Sequence, residues 1–149
     1  MGLNTSSAVV TFYEELEERA ARFYEQLAER YPEVRESFLT FAREARKHRE
    51  MVLRAYREAI TDAFETGFSF TGLNEGDYKI NTELTENMSY SDAIKRALEM
   101  EEKIHRFCMD VSQRSKGLQA DISHTFERAA KRKTERKLIL ESLLEKVTT

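Results

Sequence analysis

Six ionisable residues fall where helical spacing otherwise places apolar side chains: Glu17, His48, Glu101, His105, Lys133 and Arg136. Counting 100° per residue, Glu17 lies one turn from Tyr13, Ala20 and Tyr24, and Glu101 lies among Ala97, Leu98, Ile104 and Cys108. His48 shares a face with Phe41, Ala45 and Val52, and His105 follows Glu101 by one turn. Carboxylate and imidazole both bind iron, zinc and manganese, so Glu17, His48, Glu101 and His105 have the chemistry to hold one such ion. Lys133 and Arg136 have the opposite chemistry. They share the face of Phe126, Ala129, Ala130 and Leu140, where an unpaired charge costs several kcal/mol. Glu17 and Glu101 are their natural partners. Two accounts stand side by side: buried ion pairs with no cofactor, or a mononuclear Fe, Zn or Mn site.

The elements that carry these residues are helices. Apolar residues recur every three or four positions over four stretches, from about Ser6 to Tyr31, Pro32 to Thr66, a Ser91 N-cap to Gly117, and Asp121 onward. The joints near Pro32 and Gly117 are short, which makes antiparallel hairpins of helices one and two and of three and four. The stretch 67–90 has no helical stripe and holds three of the five glycines. It is long enough to travel the length of a bundle. The expected fold is an all-α, ferritin-like four-helix bundle, two hairpins joined by a long crossover, spanning 1–149 as one domain. The hairpins also echo each other: His48 follows Phe38 by ten residues, as Arg136 follows Phe126.

Composition narrows the function further. Charged residues make up 34% and apolar residues 40%, with a formal charge of −3, which argues against a general nucleic-acid binder. The basic run around Lys131, Arg132 and Lys137 is spread round its helix and offset by Glu127 and Glu135. Cys108 is the only cysteine, so it forms no internal disulfide and reads as a small core residue. No apolar run approaches the ~18 residues of a membrane span, and the first residues lack a signal-peptide layout, so the expected location is the cytoplasm. Glu44 falls off the apolar arc and reads as surface charge, and His124 reads as exposed.

This spacing resembles the rubrerythrin-like branch of the ferritin-like diiron-carboxylate proteins, over nearly the whole chain. The resemblance implies one glutamate from each of helices one and three and a Glu-x-x-His pair from each of helices two and four. Carried over, Glu17 and Glu101 keep the lone glutamates, and His48 keeps one histidine. Its glutamate position is Ala45, and the pair on helix four is Lys133 and Arg136. Cys108 stands where the family pattern has tyrosine. Three of the six ligand positions are changed. Two carboxylates facing two cations are again neutral, so Lys133 and Arg136 stand in for the metal charge. At ~4 Å and a dielectric of ~20 each would repel a divalent ion by roughly 8 kcal/mol.

Three functions are expected in that order of preference. The first is a non-catalytic structural or interaction protein with a degenerate diiron site, acting as a homodimer or through a protein partner. The second is a metal-binding oxidoreductase with one Fe, Zn or Mn, of the peroxidase or ferroxidase type that the resemblance implies. The third is a binding module, in which the bundle interior or the 67–90 crossover holds a small anion or a partner protein, with Phe64, Phe68, Phe70 and Tyr78 of the crossover either capping the core or docking a partner.

Overall fold

The computed structural model describes residues 2–3, 5–62, 72–115 and 120–148. Four helices account for most of them: α1 (Ser6–Arg30), α2 (Arg35–Asp62), α3 (Tyr90–Ser115) and α4 (Ala120–Thr148). α1 packs along α2 and α3 along α4, and the two hairpins meet through α2 with α4 and α1 with α3. Pro32 opens a 3₁₀ turn, Pro32–Val34, that feeds directly into α2, because its fixed φ suits a first turn. The expectations for Gly67, Gly117, Phe64, Phe68 and Phe70 lie outside the described residues.

The core follows from the helical stripes. Tyr13, Leu16, Ala20, Phe23, Tyr24 and Leu27 of α1 are all buried, as are Phe38, Phe41 and Ala45 of α2. Tyr24 meets Phe41 edge-on at 5.3 Å, and Phe107 does the same to Phe12 at 5.2 Å. Each such ring contributes about 2–3 kcal/mol by burial. Outside the core, Arg46 of α2 donates to both Glu18 and Glu25 of α1, which pins the first hairpin at its surface.

From Gly72 the crossover is held against α1 and α3 rather than left free. Arg19 donates to the Ile80 carbonyl at 3.1 Å and Arg106 to that of Asp77 at 2.8 Å. Tyr78 is buried against Phe107, and its hydroxyl donates to Asp110 at 2.5 Å. Of the two roles open to Tyr78, this is capping.

The N-terminus of α3 corrects the sequence reading. The cap is Ser89, not Ser91: Ser89 Oγ accepts from the Asp92 amide at 3.0 Å, and its carbonyl accepts from Ala93. Ser91 is already inside the helix. Ser89→Ala is expected to cost about 1 kcal/mol and Ser91→Ala a few tenths, read as shifts of the urea midpoint.

Candidate functional site

The polar centre of the bundle is built by α4 reaching three other helices. Lys133 and Arg136 are three residues apart, so they stack on one face of α4 and point together into the interior. Lys133 is 1% exposed and Arg136 3%, while Glu17 and Glu101 are fully buried. Lys133 Nζ lies 2.5 Å from Glu17 Oε1 and 3.5 Å from Glu101 Oε1. It therefore sits between the carboxylates of α1 and α3. The other oxygen of Glu17 accepts a short hydrogen bond from the Tyr13 hydroxyl.

Arg136 faces three groups at once. Its Nη1 is 3.8 Å from Glu101 Oε2, and its Nη2 donates to Glu44 Oε1 at 2.5 Å. The guanidinium carbon lies 4.4 Å from the centre of the Phe41 ring and 5.7 Å from that of Tyr24. A flat, weakly hydrated cation tolerates this aromatic enclosure better than an ammonium does. Glu44 was read as surface charge. It is half-exposed, but it is also the closest carboxylate to Arg136. An arginine side chain is long enough to bring its head to the rim of the apolar arc, where Glu44 begins.

Glu101 is the least satisfied member. Neither of its oxygens accepts a hydrogen bond from a described residue. Burial pushes the Glu101 carboxyl up from its ordinary value, against the pull of Lys133 and Arg136. Burial acts to lower Lys133, but Glu101 and Glu17 outweigh it and hold the ammonium above its usual value. Arg136 is likewise held up by Glu101 and Tyr24 against burial. Cys108 is buried with its thiol pushed up by burial and by Glu17, which fits a core residue and not a reactive thiolate.

Neither candidate histidine takes part in the ion pairs of this centre. His105 is half-buried and lines an open groove with Met109, Glu127 and Lys131. It trails Glu101 by four residues, about 40° round the helix, so Ile104 and Cys108 take the inward positions. His48 is buried on the α2–α4 side, beside Thr125 and Ala129. His124 is exposed. Among the described residues, no group of three or more His, Cys, Asp or Glu side chains is placed to hold a metal ion. Glu17, His48, Glu101 and His105 do not form one cluster, and Ala45, fully buried, offers no ligand atom.

His48 carries a pH dependence. Burial first, and then Lys133, Arg132, Arg136 and Lys47, push its pKa down to about 3. An unfolded histidine takes up a proton near pH 6.5, whereas the folded one stays neutral. The unfolded state therefore binds the extra proton, and stability is lost as pH falls from about 6.5 toward 3. His48→Gln is expected to recover about 2 kcal/mol of the loss between pH 7 and 4.5, measured as the difference between the two urea-unfolding profiles.

A bundle of two helix hairpins with carboxylates projecting inward from its first and third helices belongs to a class whose members build their sites in the space between helices. The family model for rubrerythrin matches residues 12–143, and the chain belongs to that family. Its fold is accordingly a ferritin-like helical bundle. Neither a curated protein nor a solved structure gives a match.

The residues present do not fit the two-metal centre of that family. Glu17 and Glu101 are both engaged by Lys133, and Lys133 and Arg136 project two cations into the space that divalent metals would need.

Proposed function

We propose that this rubrerythrin-family chain has exchanged its metal centre for an internal ion-pair cluster and works without a metal cofactor. Its role is structural or one of interaction, as a homodimer in the cytoplasm, rather than catalytic. The observation that carries this reading is the position of Lys133 Nζ between Glu17 and Glu101, at 2.5 and 3.5 Å. A lysine there supplies the charge that two carboxylates need, and it opposes a dication at the same place. Among the described residues no helix is long and apolar enough to cross a membrane.

The test is the metal content per chain of untagged protein grown with added iron, zinc and manganese, by plasma mass spectrometry. Content close to zero supports the reading. About one metal per chain would bring back the set of Glu17, His48, Glu101 and His105, and about two would overturn the role given to Lys133 and Arg136.

A further inference from the structure

Beside the polar centre lies a second set of cations that meets no carboxylate among the described residues. Between α2 and α4 lies a cavity of about 50 Å³, lined among others by His48, Val52, Thr125, Arg128, Ala129 and Arg132. Arg128 and Arg132 are one helical turn apart. Three other arginines at helix contacts meet carboxylates: Arg46 and Arg49 pair with Glu18, and Arg136 with Glu44. Arg128 and Arg132 make no ion pair with any described residue.

His48 is the independent observation. It is 5% exposed, lines the cavity, and its Nδ1 has no hydrogen-bond partner among the described residues. A buried ring nitrogen without a partner calls for an explanation such as a bound water or ion. The strongest influences on His48 after burial are all cationic: Lys133, Arg132, Arg136 and Lys47. An imidazole keeps at least one N–H to donate in either protonation state. A donor in a positive field, with an apolar surface of Val52 and Ala129 beside it, favours an anion over water alone.

We propose that the α2–α4 cavity binds a small monovalent anion, held by the guanidinium groups of Arg128 and Arg132 and by a ring N–H of His48. Size sets the class. At about 10–15 Å³ of such space per water-sized body, the cavity takes three or four atoms of that size. Chloride, formate, nitrate and bicarbonate fit; larger polyanions do not. The assignment is independent of whether the bundle centre carries metal.

The test uses the full chain in sodium gluconate, whose anion is too large to enter, titrated with sodium chloride and separately with sodium formate at constant ionic strength. Backbone amide NMR is the readout. Saturable shifts confined to residues 48–55 and 125–132 are expected, with a midpoint that Arg132→Gln or Arg128→Gln raises about tenfold or more, the loss of one charged hydrogen bond. Both residues are exposed, so the variants keep the fold. Lys131→Gln, exposed and outside the cavity lining, should leave the midpoint unchanged. Shifts that stay linear, or a midpoint indifferent to Arg132→Gln and Arg128→Gln, would overturn the site. Tighter saturation by phosphate than by chloride or formate would overturn the size-limited, monovalent assignment.

Discussion

Lys133→Met is expected to lower the stability of the bundle by about 3–5 kcal/mol at neutral pH, the usual cost of removing one partner of a buried ion pair. In a chain of this length that is roughly a 10 °C fall in melting temperature. Methionine matches lysine in length and flexibility, so the change removes charge with little change of volume. What remains is Glu17 with only the Tyr13 hydroxyl, and Glu101 with only a distant Arg136. Two features separate this from ordinary core damage. Carboxyls stranded in an apolar site titrate above their unfolded value near 4.3. The penalty is therefore absent below that pH and grows as pH rises, so the gap between variant and parent should shrink toward pH 4. Adding Glu17→Gln should return a large part of the loss, because it removes one of the stranded charges. An unchanged melting temperature in Lys133→Met would mean that the cluster is not electrostatically coupled.

The second large effect is a gain. Ala45→Glu, Lys133→Glu and Arg136→His together restore the family's carboxylates and imidazoles at the three changed positions. The triple variant should bind about two divalent metals per chain, against the near-zero content proposed for the parent. Without metal it should be less stable than the parent, since four carboxylates would then face one another in a low-dielectric interior. Ferrous iron or manganese at about a hundred times its dissociation constant should return about 2.7 kcal/mol, seen as a metal-dependent rise in melting temperature. Failure to take up metal, in a variant that circular dichroism shows to be helical, would mean that more than these three side chains separates this chain from a metal-binding bundle.

The helical faces were legible because their period is strong. Glu17, Glu101, Lys133 and Arg136 were found as charges on apolar stripes, and their mutual placement followed from charge balance. Other features were hidden for specific reasons. Glu44 is exposed as its position predicts, but its pairing with Arg136 was hidden, because a helical wheel records where a side chain leaves the backbone, not how far its partner reaches. His105 looked internal because a four-residue step repeats a face only to within about 40°, and at a helix edge that decides burial. Ser89 and Ser91 have the same capping chemistry, and only the crossover's path selects between them. The lowered pKa of His48 was out of reach, since it depends first on burial and then on cations that α4 brings in.

The cluster also bears on how α4 finds its place along its neighbours. Lys133 serves α1 and α3, and Arg136 serves α3 and α2, so these two side chains read the axial alignment of the whole bundle. Sliding α4 by one turn in one direction would bring Ala129 or Ala130 to the Lys133 position. Sliding it the other way would bring Ile139 or Leu140 to the Arg136 position. No one-turn slip supplies two cations. Apolar contacts through small residues such as Ala129 and Ala130 discriminate poorly between such registers, whereas a stranded carboxylate does not forgive them. The buried charges act as a key for alignment, a use in which polar core residues trade stability for a unique structure.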